Sequence, residues 1–164
     1  MFDAYYSKRA KVYLMPLRNI KYSLSDEIIF SFDTGSPYTV LSINSLYNRP
    51  HENKDRIFDA LKGGSISSIQ PSTAAGQILE GYACVVKNVT ISGRSFKKLY
   101  FYIVTNIDKP LALIGDDIVS FCSFHHQRKS DICNIGFDEE GYVEEFTKEN
   151  KNILDLNRLF EEKM

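Results

Sequence analysis

The sequence predicts a mainly β domain with a few helices, and three observations carry the prediction. Short apolar or alternating runs recur along the chain: Val12 and Leu14, Ile28-Ile29-Phe30, Thr39-Val40-Leu41-Ser42-Ile43, and Phe96 to Val104. Turn formers separate them, notably Pro16, Gly35, Pro37, Gly93 and Pro110. Helical spacing is confined to short stretches. With 164 residues, 43% of them hydrophobic, the chain is long enough for one core. A charged fraction of 25% and a formal net charge of -1 argue against disorder and against a nucleic-acid partner. No stretch reaches the about 20 apolar residues that span a bilayer, so no membrane association is expected. Met1 to Arg18 lacks an apolar segment of signal-peptide length, which makes a cytoplasmic location the expectation. Three cysteines, Cys84, Cys122 and Cys133, are too few and too odd a set for a disulfide framework and fit reduced thiols.

Taken in order, residues 10 to 18 form an opening strand that ends near Pro16. A second strand runs into Asp33. Gly35 allows a sharp turn, Pro37 delays regular pairing, and a third strand follows through Ile43. Asn44 to Asn48 offers one helical turn. Ile57, Phe58 and Leu61 lie at helical spacing in a surface helix that Gly63-Gly64 ends. A hairpin with a small-residue tip at Ala74-Ala75-Gly76 leads into a long strand, and Gly93-Arg94 turns it into an antiparallel partner from Phe96 to Ile103. Leu111 to Ile114 is a short buried strand. Asp116-Asp117 then starts a helix running to about Phe121, where acidic residues suit the positive helix end. Two further strands flank an Asp138-Glu139-Glu140-Gly141 turn. Ile153, Leu156, Leu159 and Phe160 make an apolar stripe on a C-terminal helix from about Lys148 to Lys163. The division expected is a main domain over 1-147 and an amphipathic helix over 148-164, packed on the domain or at a dimer contact.

The most informative run is Asp33-Thr34-Gly35-Ser36, an acidic residue in a tight turn between two apolar strands. A buried ionised carboxylate without a partner costs several kcal/mol, so the site must compensate the charge or use it. Taken alone, the run also fits an ordinary Asx turn. Cys122, His125, His126 and Cys133 raise a zinc reading, but their spacing fits no closed structural site, and no metal is assigned.

A second motif follows about 80 residues later, Leu113-Ile114-Gly115-Asp116-Asp117-Ile118-Val119. Together and in this order, the two motifs resemble those of the retropepsin-like (retroviral-type, single-domain) aspartic proteases, over about residues 10 to 145. The resemblance implies an acid-protease barrel, an aspartic endopeptidase without cofactor or metal, and a homodimer. One Asp-Thr-Gly per chain supplies half of a catalytic pair, so Asp33 of two subunits would meet at a two-fold axis. Peptide hydrolysis of this kind needs one carboxylate as base towards water and another as acid towards the carbonyl oxygen. The resemblance makes Asp33 catalytic, with Thr34 bracing the two loops across the axis and Gly35 pointing an N–H at the carboxylate. Ser36 would donate to the outer oxygen of Asp33, so that Ser36→Ala would move the activity optimum upward. Gly115 would pack beneath the loop. Ala74, Ala75 and Gly76 take the place of the flap, closing over a polypeptide substrate bound as an extended strand. A catalytically silent dimer of the same fold, binding extended peptides or serving an assembly, is the alternative.

Overall fold

The computed structural model describes residues 2–7, 12–18, 27–33, 36–43, 59–61, 68–69, 80–91, 94–107, 109, 111–126, 132–150, 152–156 and 158. These residues are mainly β, as predicted. The strands are Phe2–Ser7 (β1), Val12–Arg18 (β2), Glu27–Phe32 (β3), Val40–Ser42 (β4), Ser68–Ile69 (β5), Gly81–Ile91 (β6), Arg94–Val104 (β7), Ala112–Ile114 (β8), Cys122–His126 (β9), Ile132–Phe137 (β10) and Leu154–Asp155 (β11). Among the described residues they are accompanied by the helices Asp116–Val119 (α1) and Glu139–Glu149 (α2). Residues 59–61 are helical, which fits the inserted helix, and Leu61 is buried.

The strands run in the order β11-β6-β7-β4-β8-β3-β2-β1-β10-β9, with β5 also on β6. A further pairing joins β2 back to β6, Leu17 opposite Ile91. That contact closes β6, β7, β4, β8, β3 and β2 into a ring, which removes their free edges. Phe30, Leu41, Phe101, Ile103 and Ile114, all from ring strands, are fully buried core residues. From β2 the sheet continues outward through β1 and β10 to β9. Strand β1 extends the fold beyond the predicted opening strand, which runs through Pro16 instead of stopping there.

The predicted hairpin of β6 and β7 is antiparallel, from Gly81 opposite Val104 to Ile91 opposite Arg94. Beyond Lys98, however, β7 is buried on both faces, because Tyr100 and Tyr102 face α2. The Phe146 ring lies 5.1 Å from Tyr100 and 5.0 Å from Tyr102. The Tyr142 hydroxyl donates to the Tyr100 carbonyl, and Asn150 Nδ2 donates to Tyr102 Oη at 2.8 Å. Tyr142, Tyr102 and Asn150 thereby keep partners for their buried polar atoms, at a net value of about 1 kcal/mol per bond.

Two expectations are corrected. Asp138-Glu139-Glu140-Gly141 does not turn one strand into another. Asp138 caps α2, its Oδ1 accepting from the Gly141 N–H at 3.1 Å, and Glu139 and Glu140 complement the helix end. The C-terminal helix expected from about Lys148 is interrupted at 152–155. The helix ends at Glu149, Asn150 bonds back to the Phe146 carbonyl, and β11 then adds parallel to β6, Leu154 beside Cys84. Leu159 and Phe160 lie outside the described residues. Leu156 and Arg158 are helical again, the Arg158 N–H donating to Asp155 Oδ1 at 3.3 Å, and Leu156 is completely buried in the core. Lys87 and Asp155 join at 2.7 Å across the same junction, a half-exposed pair worth at most about 1 kcal/mol.

Leu156→Ala is therefore expected to destabilise the fold by about 2–5 kcal/mol in chemical denaturation. A loss below about 1 kcal/mol would show that the segment does not belong to the core.

Candidate active site

Asp33 stands where β3 ends. Strand β3 runs parallel to β8, Phe32 beside Ile114, and the Asp33 N–H extends that ladder to the Ile114 carbonyl at 2.9 Å. Strand β4 lies on the other side of β8 and is antiparallel to it. The two strands that follow each other in sequence are thus separated in the sheet by a third. Their connection crosses the end of β8 at Gly115.

That crossing leaves no room for a side chain. A Cβ on Gly115 would stand 2.8 Å from the Ser36 carbonyl oxygen and closer still to the Tyr38 carbonyl. The glycine is required by close approach of two backbones. Its φ of -92° suits any residue. Backbone bonds seal the crossing: Asp116 N–H to the Ser36 carbonyl at 2.8 Å and Asp117 N–H to the Pro37 carbonyl at 3.2 Å.

Thr39 and Asp117 form the brace beneath. The buried Thr39 hydroxyl donates to Asp117 Oδ1 at 2.6 Å and accepts from the Gly115 N–H at 3.0 Å. The Thr39 N–H donates to Asp117 Oδ2 at 3.0 Å, and the Ile118 N–H donates to Oδ1 at 2.8 Å. Burial raises the Asp117 pKa above its ordinary value; these three donors oppose the rise and the charge of Glu149 adds to it. Asp117 lies in the first turn of α1, as expected of a helix-start residue. Its carboxylate holds the loop as well.

Between α1 and α2 lies a cavity of about 360 Å³, walled by Tyr38, Tyr102, Phe121, Tyr142 and Phe146, with Asp116, Asp117, Glu145 and Glu149 on its polar side. Burial pushes the Tyr102 pKa up to about 12. Asp33 does not line this cavity.

Two expectations about the loop change. Asp33 is exposed in the single chain, not buried in its turn. Ser36 is half-buried, and its one hydroxyl proton goes to the Tyr38 carbonyl at 2.7 Å, while the Ser36 N–H donates to the Asp33 carbonyl at 3.1 Å. The expected donation to the Asp33 carboxylate is replaced by a bond that shapes the turn, which removes the basis for a Ser36→Ala shift in pH optimum. Thr34, Gly35, Ala74, Ala75 and Gly76 lie outside the described residues. All three cysteines are free, and burial raises the Cys122 pKa to about 12, which keeps it a thiol. No metal-ligating group occurs among the described residues, and no helix there is long and apolar enough to cross a membrane.

No protein-family model matches the chain, and no curated protein sequence does. Among solved structures it is similar to a retropepsin-like aspartic protease from Rickettsia conorii. The identity is 15%, over 80% of this chain and 87% of that one, with a TM-score of 0.44. Likeness at that level assigns no activity.

Thr39 is the site residue that sequence reasoning missed. Its partner lies 78 positions away, so no local pattern marks it. The available signal was a Thr between an apolar strand and a turn, facing an Asp just after the Leu-Ile-Gly run.

Two outcomes are expected. Gly115→Ala should cost at least about 2 kcal/mol in urea unfolding, because backbone must move to admit the methyl group; a cost below about 1 kcal/mol would show that the crossing is not tight. Asp117 has a raised pKa in the folded chain and an ordinary one, 3.8, when unfolded. Its contribution to stability is therefore fully present below 3.8 and is lost as pH rises through the folded value. Asp117→Asn lacks that contribution, so the stability gap between wild type and variant should widen as pH falls from about 7 to about 4. A gap that narrows would reverse the sign.

Proposed function

We propose that the chain is an aspartic endopeptidase whose active site is completed by a second copy. The observation that carries this reading is the placement of Asp33. It ends β3, is held by its N–H on the Ile114 carbonyl, and rests on a crossing fastened by Gly115, Thr39 and Asp117. A surface carboxylate of no consequence requires no such foundation. A reacting one does, because misplacement by about 1 Å can cost a hundredfold in rate.

One carboxylate cannot serve as base and acid at once, and the sequence holds one Asp-Thr-Gly run. Two copies of Asp33 sharing one proton would do both, since like charges at close range favour a singly protonated pair. The ionised member takes a proton from water, which attacks the peptide carbonyl carbon. The protonated member gives its proton to the carbonyl oxygen, producing a tetrahedral diol. Collapse of the diol breaks the C–N bond as the proton held by the first carboxyl goes to the leaving nitrogen and the second carboxylate takes a proton from a diol hydroxyl, which becomes the carbonyl of the new acid. The pair ends singly protonated again. The substrate is a polypeptide in extended form, bound by backbone hydrogen bonds as an added strand.

Asp33→Asn should lower peptidase activity by at least about a hundredfold while leaving the circular dichroism spectrum unchanged. Wild type should show a bell-shaped pH dependence of kcat/KM, reflecting the two ionisations of the pair. Undiminished cleavage by the Asn variant would overturn the reading.

A further inference from the structure

The sheet ends at β9 among the described residues, and its last strand is not finished as an edge. Register with β10 puts Phe124 opposite Ile135, so the two side chains share a face. Ile135 is 0% exposed, whereas Phe124, one strand further out, is 39% exposed. The apolar layer thus runs out of cover at the last strand. Ser123 and His125, flanking Phe124, are exposed too. Proteins blunt free edges with lysine, proline or bulges, and the strand Cys122-Ser123-Phe124-His125-His126 has no lysine or proline and pairs with β10 in unbroken register.

This edge adjoins the catalytic loop. The Phe124 ring packs edge-to-face on Phe32 with centroids 5.6 Å apart, and Phe32 is bonded directly to Asp33. Whatever covers Phe124 therefore comes within a residue of the carboxylate.

We propose that β9 is the subunit contact, pairing antiparallel with β9 of a second copy about a two-fold axis beside Phe124. The inference rests on the reading of Asp33 as half of a pair. A two-fold axis perpendicular to a sheet makes two identical edge strands antiparallel and sets the same residue opposite itself. Centred on Phe124, it joins the two exposed rings, continues both sheets into one, and draws the two Phe32–Asp33 segments towards the same axis. An unrelated partner would cover Phe124 without supplying the missing carboxylate. A second copy does both.

The test combines sedimentation, activity and cross-linking. Wild type should sediment as a dimer. Phe124→Lys, which sets two like charges across the axis, should raise the dimer dissociation constant at least tenfold with the circular dichroism unchanged. Its activity per chain should fall at low protein concentration and recover towards the wild-type value as concentration rises, which a merely misfolded variant would not do. In a Cys122→Ser background, Phe124→Cys should form a disulfide-linked dimer on mild oxidation, because directly opposed residues lie within disulfide range. Lys98→Cys, an exposed position on β7, should not. A Phe124→Lys protein that dimerises as tightly as wild type, or a wild-type dimer whose position 124 cysteines do not cross-link, overturns the β9 contact. If such a dimer still needs Asp33 for cleavage, the shared-pair mechanism stands and only its surface is wrong. A wild-type monomer that cleaves through Asp33 removes both.

Discussion

The Thr39–Asp117 hydrogen bond is the constraint on which the rest of the site depends. It joins the residue entering β4 to the first turn of α1, and the same hydroxyl takes up the Gly115 N–H. Three chain segments that the sheet topology would otherwise leave stacked at the end of β8 are thereby fixed to one another. A carboxylate serves here better than an amide would. It accepts from the Thr39 hydroxyl, the Thr39 N–H and the Ile118 N–H together, and an amide would aim a donor at one of them. Burial penalises the charged form, which is why it raises the Asp117 pKa.

The closed ring of six strands explains why so small a chain can hold that brace still. Strand β8 is only three residues long and is paired on both sides, to β3 and β4. Ser42 secures its entry, donating its N–H to the Leu111 carbonyl at 2.7 Å and accepting the Leu111 N–H on its hydroxyl at 2.8 Å. Helix α2 then closes the outer face of β7 with Tyr142 and Phe146, so the long hairpin beside the site is packed from both sides. Rigidity is delivered to Asp33 through the backbone ladder from Ile114, and among the described residues the exposed large apolar side chain is Phe124, at the far end of the sheet on β9.

Much of this was legible residue by residue. The strands around Asp33, the β6–β7 hairpin and the short helix after Gly115 follow from periodicity and turn formers. Helix α2 was missed although Asp138, the acidic pair after it, and Tyr142 and Phe146 four apart together mark a capped helix; Gly141 and the expectation of a hairpin outweighed them. The apolar residues after 150 carry a helical spacing yet include a strand, because β6 offers a partner that no local pattern reveals. Asp117 shows the same limit at the site: its acidic character suited a helix start, and its contact with Thr39 was invisible.

By itself, then, the sequence determined a mainly β chain with an Asp-Thr-Gly-Ser run between two apolar strands and a Leu-Ile-Gly-Asp-Asp run after them, because these depend on neighbours a few residues apart. The tertiary structure alone decided that β8 enters between β3 and β4, that Gly115 lies under the crossing, that Ser36 bonds Tyr38, and that Phe124 stands uncovered beside Phe32. Each of those joins residues or strands whose meeting depends on the chain's path through space, and side-chain periodicity carries no record of that path. The lone Asp33 of the sequence became, in the fold, a carboxylate at the end of one strand with an open edge beside it.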